Sequence, residues 1–315
     1  MVEIPSITPG AGLSVTLALA ALGLSALHSS FDALLISLIL GMFAANFIEK
    51  GSSLKAGVRF CVDYVLPAGM GLYGSQMLLA GDGRLWLYVL GSGLLIFAIT
   101  FLVARGFGLD DEITLLLSAG LSTAGAGAIA LVSNAWGTDK QDTSASVISV
   151  IAVGLVGMLV MGFYPQGLGF GPHRTALLMG ATLPTLGMVA AIGSAMDPGA
   201  LRLAASFKLL RTILLGVLLL VIFLKRKGAA RCRRFPWFII LFAGGALAVN
   251  LLPGGNRLSA ALAPASQFVT SVGLAATGLC VEFDSAPGKG LMPLATSLFS
   301  WGISVLFIYL VMKTL

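Results

Sequence analysis

The chain has 315 residues, of which 57% are hydrophobic and 10% charged, and its formal net charge is +6. Soluble domains carry roughly a quarter charged residues, so the composition excludes a soluble globular protein and describes a membrane protein. No loop between the apolar stretches exceeds about a dozen residues. That leaves no room for a soluble catalytic or nucleotide-binding domain, and residues 1–315 read as a single transmembrane domain.

A helix needs about 20 mostly apolar residues to cross the hydrocarbon core. The sequence supplies eleven such stretches, near 10–27, 33–48, 60–80, 85–104, 113–134, 144–164, 175–195, 202–224, 236–252, 263–282 and 291–312. The second and ninth are short, which puts the count between ten and twelve. The first basic residue is Lys50, so the amino terminus lacks the charged region of a cleaved signal peptide and the first span reads as retained. Cys61, Cys232 and Cys280 fall in or next to spans without CxxC spacing, which indicates neither a disulfide framework nor a zinc site.

The fifth stretch carries GLSTAGAGAIA at 120–130. A glycine inside a helix costs about 1 kcal/mol relative to alanine, so Gly120, Gly125 and Gly127, with Ser122 and Thr123, mark a place where the helix unwinds cheaply. Irregular backbone is tolerated at membrane depth where it lines a polar cavity. Discontinuous helices of this kind meet at the midplane of many secondary transporters. Close packing of small residues is the competing explanation, since the chain holds 40 glycines. The seventh stretch, GATLPTLGMVAAIG at 180–193, offers a second interruption. There Pro184 removes a backbone donor and Thr182 and Thr185 supply hydroxyls, with an ordinary proline kink as the alternative.

The eighth stretch contains Lys208 and Arg211. At about 1.5 Å per residue from Arg202 they lie roughly 9 and 13 Å deep, and their i, i+3 spacing puts both on one face. A cation there costs at least about 2.5–3.5 kcal/mol and requires a partner. Asp63 is one turn from an edge and Glu282 ends another span, so neither matches that depth. Three readings stay open: bonding to helix C-terminal carbonyls at a break, a net positive cavity filled by an anion, and snorkelling.

Basic residues set the orientation. With the amino terminus inside, cytoplasmic loops hold Lys50, Lys55, Arg59, Arg105, Arg174, Lys225, Arg226, Lys227, Arg231, Arg233, Arg234 and Lys289. The opposite side holds Arg84, Lys140, Arg202, Arg257 and Lys313. Twelve against five favours amino terminus in and carboxyl terminus out. The cluster KRKGAARCRR at 225–234 then reads as an anchor near anionic membrane lipid, with no nucleic acid as partner. One faint internal similarity, PAGMGLYG (67–74) against LAATGLCV (274–281), matches at few positions.

GLSTAGAGAIA, the span to Pro165, the glycine-rich 180–193, KLLR at 208–211, PWF at 236–238 with Asn250, GLAATGL at 273–279 and GVRF at 57–60 occur in the order seen in the YeiH-like family. The chain resembles these bacterial inner-membrane proteins, often labelled sulfate exporters, over nearly its whole length. The resemblance implies an all-α inverted-repeat fold similar to sodium/proton antiporters and bile-acid transporters, with crossed, discontinuous helices and a core plus a panel domain. It carries over Ser122–Gly127 as a crossing-helix break and Lys208 and Arg211 as a basic pair. By analogy with the wider fold, it also implies a homodimer through the panel. Where many members have a His-Glu pair and then a Gln, this chain has Pro184, Thr185 and Met188.

These residues imply a secondary transporter of a small anion, an oxyanion or sulfonate, moving by alternating access. Lys208 and Arg211 supply charge, and Ser122, Thr123, Gly125, Gly127 and Thr185 supply donors. No carboxylate or histidine is evident at the midplane for proton coupling, His28 and His173 being assigned to loops. Export of a dianion needs none, because an inside-negative potential contributes about 4.6 kcal/mol per 100 mV for two charges. A sodium-coupled importer is the first alternative, with carbonyls at the breaks and Ser122, Thr123, Gln76 or Gln267 ligating a coupling sodium ion. A channel or structural membrane protein is the second. No cluster has metal or nucleophile spacing, so neither an enzyme nor another cofactor is expected.

Overall fold

The computed structural model describes residues 7–28, 32–48, 52–77, 83–163, 171–193, 198–225, 237–281 and 291–314. They are helical nearly throughout, and no strand occurs among them. The basic cluster at 226–234, Glu282, Lys50 and Lys289 lie outside the described residues.

Each of the eleven apolar stretches is occupied by helix, but not in the same way. Among the described residues, six helices are long and apolar enough to cross a membrane. They lie in α1 (Thr8–Ser25), α5 (Gly83–Gly106), α8 (Lys140–Phe163), α11 (Pro198–Lys225), α13 (Gly255–Cys280) and α14 (Met292–Thr314). The other five stretches hold no single helix of that length, for a physical reason. Two stretches are short single helices, α2 (Ala33–Phe47) and α12 (Phe238–Leu251). Three are composite. The third is α3 (Ser52–Phe60), a π-helical turn at Cys61–Val65, α4 (Leu66–Leu72) and a 3-10 turn at Tyr73–Gln76. The fifth splits into α6 (Asp111–Ser122) and α7 (Ala126–Trp136), and the seventh into α9 (Pro172–Thr182) and α10 (Leu186–Gly193).

Contacts divide the chain into two compact units. The first comprises residues 1–78 and 237–284, and so contains α1–α4, α12 and α13. At its centre α13 packs on α2, α4 and α1. The approach is backbone to backbone, because a Cβ on Gly41 would strike the Ala275 carbonyl and one on Gly278 the Leu38 carbonyl. Small residues allow this where the surrounding solvent is as apolar as the side chains. Asp63 lies in the π-helical turn and pairs with the exposed Arg59 at 3.8 Å. Gln76 is tied within this unit, its amide donating to the Ser259 carbonyl at 2.9 Å.

The second unit comprises residues 79–236 and 285–315, with α5–α11 and α14. Both broken helices and both buried cations belong to it. In this unit α11 packs on α9, α10 and α5, α6 on α5 and α8, and α14 on α5 and α8. His173, assigned above to a loop, sits in the first turn of α9.

Candidate functional site

The two interruptions differ in cause. α6 stops at Ser122 because Gly125 adopts φ +63°, ψ −135°, a conformation that L side chains rarely adopt. The Gly125 N–H reaches back to the Gly120 carbonyl at 3.0 Å, closing the helix end. α9 stops at Thr182 because Leu183 precedes Pro184 and takes the extended conformation (φ −71°, ψ 137°) that proline imposes on its neighbour. The chain restarts as helix at Leu186, so this is a three-residue break and not a kink. The two breaks touch: a Cβ on Gly125 would meet the Thr185 methyl and the Pro184 carbonyl.

Each break frees carbonyls at a helix end, and the basic pair collects them. The Arg211 guanidinium is completely buried. Its Nε donates to the Ser122 carbonyl at 2.8 Å and Nη2 to Leu121 at 2.6 Å. Its Nη1 is shared among the carbonyls of Ala181 at 2.5 Å, Gly180 at 3.2 Å and Leu183 at 3.5 Å. One side chain therefore ties the C-terminal ends of α6 and α9 together. Lys208, 2% exposed, donates from Nζ to the Thr123 carbonyl at 2.5 Å. Burial this deep disposes of the snorkelling reading. The seventh carbonyl, that of Thr182, accepts from Trp301 Nε1 on α14 at 3.2 Å.

The seven residues singled out in the sequence come together here, though some act through other atoms than expected. Ser122 and Thr123 contribute carbonyls. Their hydroxyls turn back onto the Ala119 carbonyl at 3.4 and 2.7 Å, as serine and threonine do in helices. Thr185 caps α10, its Oγ1 accepting from Met188 N–H at 3.3 Å. Gly125 forms the entry to α7, and Gly127 lies buried in that helix's first turn. Met188 is completely buried and fills the space where a Cβ on Gly154 would stand. Trp301 escaped sequence reasoning, as did the carbonyls of Leu121, Gly180, Ala181 and Leu183. A backbone acceptor has no residue type, and Trp301 stands among apolar residues like any packing aromatic.

An imbalance follows. The carbonyls at 121–123 and 180–183 all accept hydrogen bonds. The opposite poles are less well served. α7 has no side-chain cap, and the N–H groups of Ala126, Gly127 and Ala128 find no partner among the described residues although all three residues are buried. Buried donors are nearly always paired, with protein, water or ligand. The end charges of the four half-helices, about +0.5 at each N-terminus and −0.5 at each C-terminus, cancel pairwise. The charge of Arg211, and any that Lys208 carries, meets no carboxylate on α7, α9, α10 or α11, which contain no Asp or Glu. The site is electropositive and has donors to spare.

The chain matches the family model described as conserved hypothetical protein 698 over residues 9–297. A UPF0324 membrane protein of Wolinella succinogenes is 28% identical over 293 residues, covering 86% of this chain and 85% of the relative. One from Archaeoglobus fulgidus is 28% identical, covering 90% and 86%. The UPF0324 inner membrane protein YeiH of Escherichia coli K12 is 28% identical, covering 87% and 83%. No solved structure matches.

Proposed function

The chain belongs to the conserved hypothetical protein 698 (UPF0324) family of membrane proteins, and on that premise we propose that it is a secondary transporter of a small anion, a sulfate-like oxyanion or a sulfonate, working by alternating access. The observation that carries this reading is the surplus of donors. Around two touching helix breaks, seven carbonyls are already occupied, while three buried N–H groups without a partner among the described residues and the further N–H capacity of Lys208 remain for a ligand rich in acceptors. A helix N-terminus flanked by fixed cations favours an anion. Against sodium coupling at this site stands the same accounting, since a sodium ion needs the oxygens that Arg211, Lys208 and Trp301 hold.

In this reading the eleven apolar stretches are eleven crossings, the composite ones making up in two helices what the others span in one. The amino terminus is cytoplasmic, following the distribution of basic residues. The direction is export, because an inside-negative potential drives an anion outward.

The test is thermal stability of the purified protein against sulfate, sulfite, thiosulfate, a taurine-like sulfonate and a carboxylate, each with and without sodium. A saturable rise with one of them, independent of sodium and lost in Lys208→Gln, is the expected result. At a hundred times Kd the ligand adds about 2.7 kcal/mol. A rise that requires sodium moves the assignment to a sodium-coupled importer, and no rise with any anion removes the anion from the site.

A further inference from the structure

Lys208 and Arg211 are three residues apart on α11 and both buried, yet they are held very differently. Every nitrogen of Arg211 donates, and its partners lie on two helices. Among the described residues, Lys208 donates once, to Thr123. Arg211 is a tie with a bond from every nitrogen, whereas Lys208 keeps N–H capacity beyond its one bond to Thr123. The two also differ in chemistry. A guanidinium never gives up its proton in a protein, while an ammonium withdrawn from water can.

Nothing else near the breaks competes for that role. On α11 itself the other charged residues are Arg202, Arg211 and Lys225, six, three and seventeen residues from Lys208. α9 brings His173 and Arg174, both in its first turn, at the far end from Thr182. α6 brings Asp111 and Glu112, also in the first turn and roughly 15 Å from Ser122 at helical rise. α5 brings Arg84 at its start, Tyr88, bonded to the Ile308 carbonyl at 3.4 Å, and Arg105, paired with Asp111. α7 and α10 bring no titratable side chain. α8, packed on α6, α7 and α10, brings Lys140 and Asp142, both in its first turn and more than ten residues before Gly154, which meets Pro184 and Met188. Among the described residues, Lys208 is therefore the group set at the breaks themselves that can change charge.

We propose that Lys208 is the proton carrier of the transport cycle, taking up one proton as the anion binds and releasing it as the anion leaves. This rests on the anion-transporter reading. On the loading side a proton from water joins the Nζ lone pair as the anion settles against α7 and the ammonium. On the release side the anion departs, the N–H bond breaks, the electron pair stays on nitrogen and the proton goes to water. The empty carrier returns with Lys208 neutral, its amine still able to donate to the Thr123 carbonyl. Anion and proton move in the same direction, one proton per anion.

The experiment measures protons directly. Sodium sulfate is added to weakly buffered, detergent-solubilised protein between about pH 6 and pH 10 with a pH dye present, and sulfate affinity is determined alongside. Thiosulfate serves as a second probe, since neither anion titrates in that range. We expect uptake approaching one proton per anion bound toward the alkaline end, where the apparent affinity falls about tenfold per pH unit. Lys208→Arg binds with an affinity flat in pH and takes up no proton. Binding without proton uptake anywhere in the range overturns the inference while leaving the anion reading intact, and so does equal uptake by Lys208→Arg. The wild-type titration decides the matter even if the variant misfolds. Failure of the whole anion panel to bind takes both proposals down together.

Discussion

Arg211 is a costly residue to change. A buried carbonyl left without a donor costs about 1–3 kcal/mol, and Arg211 serves carbonyls on two helix ends. Against a total stability of about 5–15 kcal/mol, its loss is severe. We predict that Arg211→Gln yields little monodisperse protein on gel filtration. Lys208→Gln, which frees the Thr123 carbonyl alone and removes a charge with no carboxylate beside it, stays folded and melts within a few degrees of wild type. The reverse outcome would exchange the roles assigned to the two cations. This is also why a double substitution of the pair is a poor test of ligand binding: a folded protein is needed to bind anything. Arginine's planar fork, with five donors, suits an anchor between two helix ends, and the compact ammonium suits a group that meets a ligand and then lets it go.

The half-helices show which features the sequence disclosed. Glycine and proline act on their own backbone and the residue before them, so GLSTAGAGAIA and GATLPTLG betrayed their breaks without any knowledge of the fold. The buried pair at 208 and 211 was legible from depth alone. What took up the freed carbonyls was not, because acceptor and donor lie about 30 or 90 residues apart and the acceptor is backbone. The hydroxyls of Ser122 and Thr123 misled for a related reason: a hydroxyl on a helix has its own preceding carbonyl within reach. The two-unit partition was equally hidden, since α12 and α13 return to α1–α4 through close approaches of small residues and through bonds from Gln76 and Asn250 to backbone carbonyls, which have no residue type. Trp301 tests the element-scale account. Its indole N–H caps the remaining carbonyl of α9, so Trp301→Phe keeps the ring packing and loses the bond. We predict a destabilisation of about 1–3 kcal/mol in chemical or thermal unfolding, with anion affinity unchanged. An unchanged melting temperature would mean that another donor replaces the indole at the end of α9.

Across the whole membrane, the proposals about the site become statements about charge. A dianion leaving alone carries two negative charges outward, a drive of about 4.6 kcal/mol per 100 mV, inside negative. If it leaves with the proton on Lys208, one net negative charge moves, and the drive falls to about 2.3 kcal/mol. That sustains a gradient of roughly fifty-fold, and each unit of external acidity opposes it by about 1.4 kcal/mol, a factor of ten. Coupling thus weakens the pump on voltage while tying it to pH. Labelled sulfate efflux from proteoliposomes separates the cases. With wild-type protein, an inside-negative potassium diffusion potential raises the limiting gradient, and acidifying the outside lowers it about tenfold per unit. In Lys208→Arg the voltage response doubles in slope on a logarithmic scale and the pH response disappears, because the charge on α11 no longer comes and goes. A wild-type gradient indifferent to voltage would mean that two protons accompany each dianion, and a single lysine between two broken helices can supply only one.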